Sequence, residues 1–241
     1  MASQIRIFGT AEESAEYFTS LLALCIGETP GDRAFSLVLS GGSTPKMIFR
    51  TIASCANEKI AWNRVNIFWG DERCVGPEDG ESNFKMAKEN LLDLIPVPGS
   101  NYFRIQGESD PVTEAERYSS IFKQEVDPAA GIPQADFIML GLGEDGHTAS
   151  IFPGNLDLFN SIALFTHAKH PETGQKRITA TGQIINNAKR VVIVATGESK
   201  AFRVAQIINR LEGWEQLPAA HVKPENGELI WLLDNQAASK L

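Results

Sequence analysis

Continuous apolar runs alternate with amphipathic stretches along the whole chain. QIRIFG (residues 4–9) reads as a short strand and leads into a helix beginning near Ala11. AFSLVLSGG (34–42) is an apolar strand that ends in glycines, and PKMIFRTIASCA (45–56) follows with helical character. RVNIFWGDER (64–73) predicts a third strand. SNFKMAKENLLDLI (82–95) predicts a helix with Phe84, Leu91, Leu92 and Ile95 on one side. PVTEAERYSSIFKQEV (111–126) predicts another, with proline near its start and acids in its first turns. ADFIMLGLG (135–143) and RVVIVATG (190–197) are two further apolar strands. The second leads into ESKAFRVAQIINRLEG (198–213), where Ala201, Val204, Ala205, Ile208 and Leu211 keep helical spacing before Gly213. Strands apolar on both faces, alternating with helices, imply a parallel sheet covered on both sides. The chain contains no internal repeat or convincing linker, so residues 1–241 are expected to form one α/β domain.

Composition narrows the possible partners. With 43% hydrophobic and 22% charged residues the chain matches ordinary globular usage, so disorder is not expected. No apolar run approaches the roughly 18 residues of a membrane helix. The amino-terminal MASQIRIFGT lacks the basic-then-apolar layout of a signal peptide, and a cytoplasmic protein is expected. The net charge of −8, without a basic block, argues against nucleic acid. A small anionic substrate would need a few cations converging locally. Cys25, Cys55 and Cys74 show neither metal-ligand nor redox spacing and are expected as reduced thiols, Cys25 extending the apolar stripe Phe18, Leu21, Leu22.

In parallel sheets ligands bind beyond the carboxyl ends of the strands. Four predicted strand ends carry unusual residues here: SGGSTP, GDER, GLGEDGH and TGESK. In the first, Gly41 and Gly42 would let backbone approach an anion, while Ser43 and Thr44 introduce a helix whose free N–H groups favour phosphate. An ordinary capped turn would need less. Arg73 could grip a phosphate or carboxylate bidentately, or pair with an acid to order its loop. Lys200 stands at a helix start, where it opposes the dipole. It could attract a bound anion or extend into solvent.

Gly141, Gly143 and Gly146 have the G-x-G-x-x-G spacing of a dinucleotide turn, but HTASIFPG follows, and Pro153 and Gly154 end any helix within two turns. The context for a dinucleotide is missing. Instead His147 follows the glycines, with Asp145 two residues earlier. A histidine is a suitable general base near neutral pH and a carboxylate can orient it, although backbone groups could also satisfy it structurally. No G-x-S-x-G elbow or phosphate-binding G-x-x-x-x-G-K-[ST] loop occurs. His167, His170 and His221 form no recognisable metal set. Metal-free acid–base chemistry on a small phosphorylated molecule is the remaining expectation.

LSGGSTPKMIF, VNIFWGDERCV with ESNFKMAKENLL, DFIMLGLGEDGHTASIFPG, KRVVIVATGESKA and PAAHVKPENGELIWLLD together resemble the 6-phosphogluconolactonase family, in its order and from about Leu39 to Asp234. The resemblance implies a Rossmann-like single domain with a central, mainly parallel sheet and helices on both faces. It implies hydrolysis of 6-phosphoglucono-1,5-lactone to 6-phosphogluconate without metal or organic cofactor. The family's catalytic histidine falls on His147. Its phosphate-binding positions match the Ser43–Thr44 turn, Arg73 and Lys200, with Arg177 of the RITAT region a weaker ligand contact. A monomer or weak homo-oligomer is expected. Glucosamine-6-phosphate deaminases share the G-x-D-G-H element, but they have D-E-Y where this chain has Asp71-Glu72-Arg73, and an I-A-F-N-E-P-G-like continuation where this chain has Thr148–Gly154. A sugar-phosphate sensor is the alternative from another class, and the strand beginning at Gln4 leaves no room before it for a helix-turn-helix.

Overall fold

Strands buried on both faces need helices above and below, and the chain supplies them in alternation. The computed structural model describes residues 3–55 and 60–241. β1 (Gln4–Phe8) precedes α1 (Ala11–Glu28), β2 (Phe35–Leu39), α2 (Ser43–Cys55) and β3 (Val65–Trp69). Next come β4 (Asp71–Arg73), α3 (Asn83–Asn90), α4 (Pro111–Glu125), the short pair β5 (Pro128–Ala129) and β6 (Ile132–Pro133), and β7 (Phe137–Gly141). β8 (Phe165–Lys169), β9 (Lys176–Ala180), α5 (Gly182–Ile185), β10 (Arg190–Ala195), α6 (Ala201–Ile208) and β11 (Glu228–Asp234) complete the chain.

Six strands form one parallel sheet in the order β1-β11-β10-β7-β2-β3. The chain runs outward from β2 to β3, then returns to β7 on the other side of β2 and continues through β10 to β11. Right-handed crossovers therefore put α1 and α2 on one face and α4 to α6 on the other. The reversal lies between β2 and β7, and a crevice opens there beyond their carboxyl ends.

Local chemistry sets several boundaries. Thr10 accepts from the Glu13 N–H at 3.2 Å to start α1, and Asp110 accepts from the Thr113 N–H at 3.0 Å to start α4, with Pro111 next. Tyr118 of α4 is fully buried. Its hydroxyl accepts from the Trp69 N–H at 2.8 Å and donates to the Phe103 carbonyl at 2.9 Å, which fixes α4 to the end of β3.

The predicted strand 64–73 divides in two. Gly70 donates its N–H to Leu39 in the main sheet at 2.8 Å, while its carbonyl accepts from Ala180 N–H at 2.7 Å in a second sheet. That second sheet is antiparallel, in the order β4-β9-β8. Neither its β8 strand nor β11 of the main sheet is among the strands read from periodicity. The predicted helix 82–95 ends at Asn90 and tightens into a 3₁₀ turn at Leu92–Leu94, although its four apolar residues are buried as expected. α6 stops at Ile208, which leaves Leu211 beyond it and 46% exposed rather than on the buried face. Helix α2 begins at Ser43, so Ser43 and Thr44 lie within its first turn. Ala56, the last residue of the predicted helix 45–56, lies outside the described residues.

At the opposite, amino-terminal end of the sheet a buried carboxylate joins three strands. Asp136 accepts two bonds from Arg33 (2.7 and 2.6 Å), one from Lys189 (2.8 Å), and the backbone and hydroxyl of Ser36 (2.9 and 3.0 Å). Burial raises its pKa, but these donors outweigh burial and hold it below the ordinary carboxylate value of 3.8. Asp136→Asn is expected to cost about 2–4 kcal/mol of unfolding free energy at neutral pH, measured by urea denaturation. A depressed native pKa stabilises fully above the unfolded value, and that contribution is lost as pH falls through the native one. The gap between variant and wild type should therefore narrow on acidification below 3.8. A gap that stays constant there would contradict this role for the charge.

Candidate active site

The loops after β2, β7 and β10 meet the β4–β9 sheet over the β2/β7 crevice. One cleft there is lined by Gly41, Gly42, Ser43, Thr44, Arg73, His147, Arg177 and Lys200, eight of the nine residues expected from the sequence. The ninth, Asp145, contacts His147 from behind.

The β2 loop delivers a helix N-terminus. Gly42 has φ +108°, in the left-handed region that favours glycine, and a Cβ at Gly41 would collide with the Asn83 side chain. The turn closes with the Lys46 N–H donating to the Gly42 carbonyl at 3.1 Å. The first amides of α2, at Ser43 and Thr44, precede any intrahelical acceptor and open onto the cleft. The Thr44 hydroxyl does not cap the helix; it is 2.8 Å from the Thr196 hydroxyl in the β10 loop.

Strand alternation explains the cationic wall. Asp71 and Arg73 of β4 pair in register with Thr179 and Arg177 of β9, so all four share one face. Glu72 points the other way and is 2% exposed. Its carboxylate accepts the N–H groups of Arg73, Asn83 and Phe84 at 2.7, 2.7 and 2.8 Å, and the Ser82 hydroxyl at 3.0 Å. Burial pushes its pKa upward despite those donors. Arg73 also donates to the Glu81 carbonyl, and the Nε atoms of Arg73 and Arg177 are both buried without a partner among the described residues. Burial, reinforced by the neighbouring Arg73 charge, lowers the Arg177 pKa. Two guanidinium groups held side by side on the cleft wall can attract an anion.

The β7 loop presents the histidine. Gly146 has φ +90°, and a Cβ on Gly143 would collide with the His147 ring. Gly143 N–H donates to the His147 carbonyl at 2.8 Å, and the Thr148 hydroxyl to the Gly141 carbonyl at 3.0 Å. Asp145 Oδ1 lies 2.6 Å from His147 Nδ1 and accepts the His147 N–H at 3.0 Å. One carboxylate thus shapes the turn and orients the ring. Burial raises the Asp145 pKa, but the hydrogen bonds and charge of His147 outweigh it and bring it to about 2. An ionised Asp145 favours the tautomer with hydrogen on Nδ1, which leaves Nε2 with its lone pair. Nε2 has no protein partner among the described residues, and the ring lies against Phe152 with centroids 4.9 Å apart.

Lys200 occupies the 3₁₀ turn Glu198–Lys200 just before α6, rather than the first α-turn, with its ammonium 3.8 Å from Glu144. As expected from Pro153 and Gly154, no α-helix directly follows Gly146, and the next helical turn is the 3₁₀ segment Leu156–Asn160. His170 is drawn into its own loop, accepting the Glu172 and Thr173 N–H groups at 3.3 Å. Among the described residues no group of three His, Cys, Asp or Glu is placed to hold a metal ion, and no helix is long and apolar enough to cross a membrane. The sequence reading missed Asp71 and Asn83 as cleft residues, and Thr196 as the partner of Thr44. Asp71 stood in view within GDER, but its facing is set by pairing with β9.

Known proteins share the sequence pattern and the fold of this chain. The family profile described as glucosamine-6-phosphate isomerases/6-phosphogluconolactonase matches residues 9–231. A 6-phosphogluconolactonase of Treponema pallidum is 43% identical over 171 residues, covering 71% of each chain. One from Haemophilus influenzae is also 43% identical, over 84% of this chain and 86% of its own. The solved structure of 6-phosphogluconolactonase from Trypanosoma brucei superposes with a TM-score of 0.88 at 27% identity, covering 100% of this chain and 99% of that one. On profile, sequence and fold together, the chain belongs to the glucosamine-6-phosphate isomerase/6-phosphogluconolactonase family.

Proposed function

We propose that the cleft hydrolyses 6-phosphoglucono-1,5-lactone to 6-phosphogluconate. The observation that carries this reading is a histidine with Nδ1 bound to an ionised carboxylate and Nε2 open, in the same cleft as two arginines with unpaired donors. Such a site combines a base with an anchor for a remote anion. The lactonases among the relatives support the choice of substrate.

In this scheme the phosphate rests on the α2 amides of Ser43 and Thr44, with Gly41 and Gly42 allowing close approach. Arg73, Arg177 and Lys200 supply charge. His147 Nε2 takes a proton from water as its oxygen adds to the lactone carbonyl, and backbone N–H groups or a nearby cation hold the tetrahedral oxyanion. The ring C–O bond then breaks, and the His147 cation returns its proton to the departing ring oxygen. The new carboxylic acid ionises and releases one proton to solvent. Asp145 stabilises the histidine cation and keeps the ring in register. The scheme uses only the chain's own groups, without metal or organic cofactor.

His147→Ala is expected to lower kcat by roughly 10²- to 10⁴-fold, the usual worth of a general base, while 6-phosphogluconate still binds. Proton release from freshly generated lactone measures turnover, and near-full activity would sink the assignment. Arg73→Ala, Arg177→Ala and Lys200→Ala should act mainly on KM, by roughly 10-fold or more for each arginine if it bonds the phosphate. Ammonia release from glucosamine-6-phosphate, without lactone hydrolysis, would favour deaminase chemistry instead.

A further inference from the structure

Among the described residues Asp71 is the one acidic side chain lining the cleft, and the scheme above gives it no role. Its residue is 5% exposed. Oδ2 accepts the Ser150 hydroxyl at 2.6 Å, which ties β4 to the loop that carries His147, 79 residues away in sequence. Thr179, its register partner on β9, accepts the Ser150 N–H at 3.1 Å, so the tether is doubled. The Asp71 backbone carbonyl accepts Asn83 Nδ2 at 3.0 Å. The carboxylate is therefore fixed in place from both sides. Oδ1, however, has no protein hydrogen bond among the described residues, and no cation lies within 4.0 Å of it there.

A tether alone would need only one oxygen. Burying a carboxylate with a single strong hydrogen bond is unfavourable, and an acceptor left facing a cleft is most useful when the ligand brings the missing donor. A phosphate ester offers almost only acceptors near neutral pH, and it would be repelled by Asp71. The donors that a sugar lactone phosphate can offer are its hydroxyl groups. Resting on the phosphosugar reading above, we infer that Asp71 Oδ1 accepts a carbon-chain hydroxyl shared by the lactone and its open-chain product, and so determines specificity for a hydroxylated carbon chain over a simple phosphate ester. Ser150 holds the other oxygen and sets the direction of that contact. Sites that pair a buried group with a substrate hydroxyl discriminate strongly against analogues that lack it.

Asp71→Asn tests this, because a carbonyl kept on Ser150 would turn an amide donor toward the ligand in place of an acceptor. Binding is read by calorimetry with 6-phosphogluconate and with inorganic phosphate, and folding by thermal melting. The variant should bind 6-phosphogluconate roughly 10- to 100-fold more weakly, the worth of a hydrogen bond to a charged group. Inorganic phosphate should bind as well as before or better, since a negative charge beside the arginines is gone. Equal losses for both ligands, or no loss for either, would overturn the inference. A series of singly deoxygenated 6-phosphogluconates provides a readout that needs no variant. One of them should lose a similar factor on the wild type and little further on Asp71→Asn. Uniform binding across the series would also overturn it. Wild-type protein that fails to prefer 6-phosphogluconate over inorganic phosphate would refute the phosphosugar reading itself. A preference that Asp71→Asn keeps in full refutes only the role of Asp71.

Discussion

Glu72 buries a carboxylate at the corner where the chain leaves the main sheet, and four donors converge on it. Three are backbone N–H groups, two of them at the start of α3, where the helix dipole favours a negative charge. One side chain thus satisfies the first two N–H groups of α3 and one of β4. Because successive strand residues face opposite sides, anchoring Glu72 outward obliges Asp71 and Arg73 to face the cleft. Gly70 makes the corner possible, its N–H bonded to one sheet and its carbonyl to the other. The cationic wall of the site thus depends on a residue that does not touch the cleft.

The two ends of the main sheet handle buried charge differently. At the amino end Asp136 is saturated by Arg33, Lys189 and Ser36, so its charge is fully used inside the protein. At the carboxyl end, among the described residues, Arg73 and Arg177 keep unpaired Nε donors, His147 keeps an open Nε2 and Asp71 an open oxygen. Unsatisfied groups cost stability, and proteins tolerate them where a ligand completes the bonding.

The main sheet was legible where strands were continuously apolar, as in β2, β7 and β10. Their order in space was not, because register and adjacency are non-local. The small sheet escaped the periodicity reading because β8 and the start of β9 are short and mix buried with exposed positions. The G-x-D-G-H turn and the Ser43–Thr44 helix start were readable because glycine conformation and helix dipoles are local effects. The contact between Thr44 and Thr196 gave no signal, since the two lie 152 residues apart.

By itself the sequence determined the alternation of strands and helices, the glycine turns that end them, and the presence of a histidine beside an acid. These follow from backbone conformation and from side-chain spacing within a few residues. Only the tertiary structure decided that Arg73 meets Arg177, that Asp71 is bound by Ser150 with one oxygen open, and that Lys200 rests near Glu144. Those pairings depend on strand register and on the reversal between β2 and β7. The reason is geometric: distances across a sheet are set by which strands lie side by side, and spacing along the chain carries no record of that.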